Sequence, residues 1–236
     1  FAEIPAKRES TLSAAMAPEF ELTDRKGAVI RMSDFKGKKA LIVTWSSWLG
    51  CYLDVPVWQR IYEEIDNPDF VIICAAQDTG GEAVAGPIFD AAGATYIQIV
   101  DENHRISSLF NFVNVPSSAW IDETGRIVRI DEGTYSQIHA ISDGQETITF
   151  GNDVYTPALK DWIENGENSP YINAPEQVSE NIRTHSKEQL KADAAFCLGN
   201  FFRVHGHNDL ADHYWALAQT LNPESINFFR QNLTLT

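Results

Sequence analysis

Two short apolar runs, Ala40 to Trp45 and Val71 to Ala76, constrain this chain most. Each has the length of a strand and suits burial on both faces of a parallel sheet. Between them, a Ser-Ser-Trp-Leu-Gly-Cys loop opens a helix expected near Tyr52 to Ile65, which makes the first half of a crossover. Glu82 to Ala92 reads as a second helix, Tyr96 to Val100 as a short strand and Ile106 to Phe112 as a third helix. This alternation specifies an α/β fold around a parallel sheet. Ser118 to Asp122 and Arg126 to Ile130 flank Glu123-Thr124-Gly125, so the sheet is expected to finish with an antiparallel hairpin and be mixed. An earlier hairpin is expected over Pro18 to Met32. Another is expected over Thr147 to Tyr155, turning at Gly151-Asn152, and is followed by a helix over Pro157 to Asn165.

The division expected is an N-terminal arm over 1–16, an α/β domain over 17–165, a Gly/Pro-rich polar linker over 166–186 and a helical unit over 187–236. A chain of 236 residues with 44% apolar content can bury a core, which excludes disorder. Its net charge of −15 leaves no phosphate-neutralising surface, so nucleic acid is not an expected partner. No apolar run reaches the roughly 18 residues of a membrane span. The start at Phe1 rather than Met is expected to follow removal of an N-terminal piece.

Three cysteines, Cys51, Cys74 and Cys197, are too few and too widely spaced for a disulfide framework or a Cys-x-x-Cys zinc site. No Gly-x-Gly-x-x-Gly or P-loop follows a strand, and no cofactor is expected. His205, His207, Asp209, Asp212 and His213 lie near one inter-helix turn, but such residues ordinarily occupy a solvated face, so no metal site is assigned.

From Ala17 to about Gly133 the sequence resembles the thioredoxin-like family of TlpA and ResA type, related to the AhpC/TSA group. The resemblance rests on Ala-Pro-Glu-Phe-Glu-Leu-Thr-Asp, on Met-Ser-Asp-Phe-Lys-Gly-Lys, on a strand ending in Trp-Ser-Ser-Trp, and on Val115-Pro116-Ser117-Ser118-Ala119-Trp120. It implies a thioredoxin fold, a central mixed sheet flanked by helices. In that family a Trp precedes Cys-x-x-Cys, whose first cysteine is the nucleophile and whose second resolves the mixed disulfide. Here Trp48 is followed by Leu49-Gly50-Cys51. The Cys51 to Pro56 spacing aligns Cys51 with the resolving position. The stretch Trp45 to Cys51 is also similar to the Trp-Ala-x-x-Sec-Gly-Cys motif of a ResA-like group, with Leu49 where selenium belongs. Leucine carries no nucleophile, so the resemblance implies thiol-disulfide oxidoreductase descent with a degenerate site.

Cys51 is then the sole candidate redox residue, for single-cysteine thiol exchange or peroxide reduction. A helix N-terminus favours its thiolate, whereas resolving cysteines are usually buried and Asp54, Glu63 and Glu64 oppose negative charge. Pro116 matches the family's cis-proline. With Val115, Trp48, Leu49 and Gly50 it implies a groove for an extended peptide. Leu198-Gly199, Phe202, Ala211, Trp215, Ala218 and Pro223 resemble a tetratricopeptide (TPR) repeat, which implies a C-terminal α-helical TPR-like hairpin. One repeat cannot bury its own apolar face, so it is expected to pack on the α/β domain, on another copy or on a partner. The competing functional reading is therefore a non-catalytic assembly subunit that holds a protein or peptide at the Pro116 groove and the repeat, in a homo-oligomer or a larger complex. The resemblance implies an extracytoplasmic location, periplasmic or secreted, with cytoplasm as the alternative.

Overall fold

The computed structural model describes residues 16–48, 50–142, 146–181, 186–225 and 227–229. Most of the expected arm, and Leu49, lie outside the described residues. Strands β1 (Glu21–Thr23) and β2 (Val29–Arg31) form an antiparallel hairpin. Asp24 closes its turn by accepting from the Lys26 and Ala28 amides. The central sheet contains β3 (Lys39–Trp45), β4 (Phe70–Ala76), β5 (Ile97–Val100), β6 (Ser117–Ile121) and β7 (Ile127–Glu132), in the order β5-β4-β3-β6-β7. Strands β3, β4 and β5 are parallel, and β6 and β7 are added antiparallel. This is the mixed sheet expected.

The two-residue period of the strands divides the core in two. Leu41, Val43 and Trp45 face one layer with Ile72 and Cys74, under α1 (Val55–Ile65), α2 (Glu82–Ala91) and α4 (Tyr155–Asn165). Ala40 and Ile42 face the other with Ile73 and Ala75, against the β1–β2 hairpin and α3 (Arg105–Phe110). The alternate residues are apolar because both faces are covered. Within the segment expected as a linker, α5 (Pro175–Asn181) inserts a fully buried Val178 into this second layer, and Asn173 donates its amide to the Val128 carbonyl.

The hairpin expected to turn at Gly151-Asn152 is different. Strand β9 (Thr147–Phe150) pairs backwards with β8 (His139–Ser142). Gly151, at φ +89°, lies against the Gln137 carbonyl, where a Cβ would collide. The glycine thus ends the strand at a close backbone approach instead of turning it. The β8–β9 hairpin then lies over Gly50, in the loop that follows β3.

Two longer helices, α6 (Lys187–Val204) and α7 (Asn208–Leu221), form the C-terminal hairpin. Ser186 caps α6 through a reciprocal pair with Gln189. Gly199 lets the Trp215 indole lie against α6, and the indole N–H donates to Asn200 at 2.9 Å. Asn200 donates onward to the Glu102 carbonyl at 2.9 Å, Ser108 bonds Asp193 at 2.8 Å, and the His104 ring packs on Phe196. The hairpin therefore covers its apolar side against the loop after β5.

Candidate functional site

Strand β3 ends at Trp45, and the chain passes through Ser46, Ser47 and Trp48 into a 3-10 turn, Gly50–Asp54, that leads directly into α1. Asp78, at the end of β4, fixes this loop by accepting from the Ser47 amide at 2.7 Å and the Ser47 hydroxyl at 2.9 Å. Burial pushes the Asp78 carboxyl up to about 6, with the two Ser47 hydrogen bonds opposing the shift. Cys51 points inward from the turn and is 0% exposed. The Ser46 amide donates to its Sγ at 3.3 Å, and the thiol faces the Ser46 carbonyl at 3.6 Å. Burial pushes the Cys51 thiol up to about 12; the Ser46 hydrogen bonds lower it only in part, and the nearby Asp54 charge raises it further.

Trp48 is half-buried against the same core cluster, which also holds Cys51 and Val115. The Val115–Pro116 bond is cis. Both residues are buried, and the Val115 amide and the Pro116 carbonyl are engaged within the chain. The Val115 amide donates to Asn114 Oδ1 at 2.8 Å, and the Pro116 carbonyl accepts from the Gly133 and Thr134 amides at 2.7 and 3.1 Å. The structure thus places Trp48, Cys51 and Val115 in or against one core cluster.

The β8–β9 hairpin covers the loop. A Cβ added at Gly50 would stand 2.6 Å from the Phe150 ring and 3.4 Å from Ile141 Cδ1. Phe150 is in turn held by Tyr135 edge-on at 4.9 Å and by stacking on His139 at 5.6 Å. The anchor is Asp54, 2% exposed, at the start of α1. Its carboxylate accepts from His139 Nε2 at 2.6 Å, from the Ser136 amide at 3.1 Å and from the Ser136 hydroxyl. Burial raises the Asp54 carboxyl, and the Ser136 and His139 bonds counter that shift. Cys74, mid-strand in the same core, is fully buried, and burial raises its thiol.

Sequence reasoning singled out Asp54 as a charge opposed to a thiolate, with compensation only from Arg60 or from a residue of another segment folding back. The partner is His139, 85 residues away. Its role depends on how the hairpin folds back, and no local pattern in the chain announces that. Phe150 was missed for the same reason, and Asp78 because its bonds to Ser47 depend on the parallel pairing of β3 with β4. Among the described residues, no group of three or more His, Cys, Asp or Glu side chains could hold a metal ion, and no helix is long and apolar enough to cross a membrane.

Residues 14–130 match the AhpC/TSA family. Thiol-disulfide oxidoreductase ResA of Geobacillus kaustophilus is 27% identical over 123 residues, covering 51% of this chain and 70% of that protein. ResA of Bacillus subtilis is 25% identical over 134 residues, covering 56% and 74%. A Chlorobium tepidum structure assigned as thiol:disulfide interchange protein DsbE superposes with a TM-score of 0.50 at 20% identity, over 64% of this chain and 95% of its own. That similarity shows the thioredoxin-like fold. The family match stops before β8, so the hairpin over Gly50 and the helices α6 and α7 lie outside it.

Proposed function

We propose, on the premise that residues 14–130 belong to the AhpC/TSA thioredoxin-like family with thiol-disulfide oxidoreductase relatives, that this chain is a non-catalytic binding subunit with a degenerate redox site. The observation that carries this is the complete burial of Cys51 beneath a hairpin seated on Gly50. Thiol exchange requires a thiolate that can reach its electrophile. With the thiol at about 12, only about one molecule in 10⁵ is ionised at pH 7. Leu49 cannot replace the missing nucleophile, and Cys74 lies buried in β4.

The C-terminal hairpin, read as a TPR-like unit, is the binding surface we favour. It exposes Leu198, Leu210 and Leu217, and apolar residues of this kind left in solvent suit a protein contact. The groove at Val115 and Pro116 is the weaker site, because the Val115 amide and the Pro116 carbonyl already bond within the chain. Assembly into a homo-oligomer or a larger complex, and an extracytoplasmic location, belong to the same proposal.

One feature favours the second reading, single-cysteine exchange or peroxide reduction: the Ser46 amide aimed at Cys51 Sγ stabilises a thiolate once solvent reaches it. That reading needs the β8–β9 hairpin to leave Gly50. Disulfide and peroxide reduction, measured with the full chain and with Cys51→Ser, separate the two. Equal background rates are expected, and a rate that depends on Cys51 would overturn the non-catalytic reading.

A further inference from the structure

A cleft of about 560 Å³ opens where the C-terminal hairpin meets the α/β domain. Its floor is laid by residues that follow the carboxyl ends of two parallel strands: Thr79 after β4, and Glu102 and Asn103 after β5. Open α/β sheets bind ligands at such strand ends because the loops there diverge and leave a crevice. The last turns of α6 form the opposite wall, fixed by the Asn200 bonds to Glu102 and Asn103 at 2.9 and 3.3 Å. Among the described residues, none of the Trp48–Cys51 loop or of the Pro116 turn lines it.

Two chemistries meet in this cleft. Leu109, Phe201 and Val204 make it apolar, while Arg105 from the domain and Arg203 from the hairpin are two arginines among its lining residues. Asn208 accepts one bond from Arg203 at 3.1 Å. The carboxylates nearby are largely committed elsewhere. Asp101 accepts from the Arg105 and Ile106 amides and from Gln77, and Asp193 accepts from Ser108, while Glu102 is an exposed carboxylate on the floor. In a chain of net charge −15, two of the 18 basic residues meet at this one cleft. Guanidinium forks match carboxylate and phosphate oxygens, and the volume falls in the range of small-molecule sites.

We infer that this cleft binds a small amphiphilic anion, with a carboxylate or phosphate head held between Arg105 and Arg203 and an apolar body against Leu109, Phe201 and Val204. The inference goes beyond the reading of the redox loop and stands whether or not Cys51 reacts. The C-terminal hairpin then completes a small-molecule site as well as offering an outer surface.

The test is calorimetric titration of the full chain with decanoate, decyl phosphate and decanol below their aggregation concentrations. Saturable one-to-one binding of at least one anion is expected, at least about tenfold tighter than decanol, since a charge-assisted bond is at stake. The tighter of the two anions identifies the head group. The Arg105→Gln/Arg203→Gln double variant is expected to weaken the anion at least about tenfold while its unfolding midpoint stays unchanged. Absence of saturable anion binding, decanol binding as tightly as the anions, or unchanged anion affinity in the double variant each overturns the inference; the first two need no variant.

Discussion

Replacing Asp78 by asparagine is expected to stabilise the protein, and to do so only above the acid range. Asp78 is 2% exposed and holds Ser47, the residue that fixes the loop before Cys51. Its carboxyl ionises at about 6 in the fold against 3.8 in the open chain. Between those values the folded state binds more protons than the unfolded state. Stability therefore falls as the pH rises from about 4 to about 6, and the deficit is constant above that. A shift of about two units corresponds to roughly 3 kcal/mol, and the two Ser47 hydrogen bonds are already counted in it. Asparagine keeps an oxygen for the Ser47 amide and offers its N–H₂ to the Ser47 hydroxyl. Urea denaturation followed by tryptophan fluorescence should show Asp78→Asn more stable by up to about 3 kcal/mol at pH 7.5, with the gap closing towards pH 3.5. A gain that does not vary with pH, or a loss at pH 7.5, would refute the assignment of the shift to burial of the charge.

Other changes probe the cover and the C-terminal unit. His139→Ala removes a donor to the buried Asp54 carboxylate and should cost about 1.5–3 kcal/mol. It should also speed Cys51 modification by freeing the β8–β9 hairpin, so lowered stability with unchanged Cys51 labelling would count against the anchor role. Gly199→Ala would place a Cβ 2.5 Å from Trp215 Nε1, and overpacking of about 1–3 kcal/mol should outweigh the helix-propensity gain of up to about 1. Helical circular dichroism should melt earlier in this variant; a later melt would contradict the close packing of α6 on α7.

The central sheet was legible because its information is local. The runs at Ala40 and Val71 are apolar at successive positions, as both faces are covered, and Glu123-Thr124-Gly125 marks the turn between β6 and β7. Cys51 could be placed at the start of a helix from its spacing to Pro56. Its orientation could not, since the thiol's burial depends on the Ser46 contacts and on the core cluster that Cys51 joins. The cover over Gly50 was illegible for a stronger reason. Gly151-Asn152 is the kind of pair that turns a hairpin, and only the approach of the Gln137 carbonyl makes it a strand end. The pairing of β8 with β9 and the His139–Asp54 bond both follow from that long-range choice. Likewise, Gly199 and Trp215 announced a close helix pair, whereas the attachment of Asn200 to the loop after β5 has no sequence signal.

The buried, covered state of Cys51 is tested most directly by the pH dependence of its alkylation in the folded chain, with intact mass and peptide mapping as the readout and Cys51→Ser as control. Negligible labelling of Cys51 up to pH 9, with rapid labelling once the chain is unfolded in urea, is the outcome expected from a thiol at about 12 beneath the β8–β9 hairpin. A Cys51 that alkylates in the native protein, with a thiolate titrating below the free-cysteine value of about 8.5, would contradict it and restore single-cysteine redox chemistry to this loop.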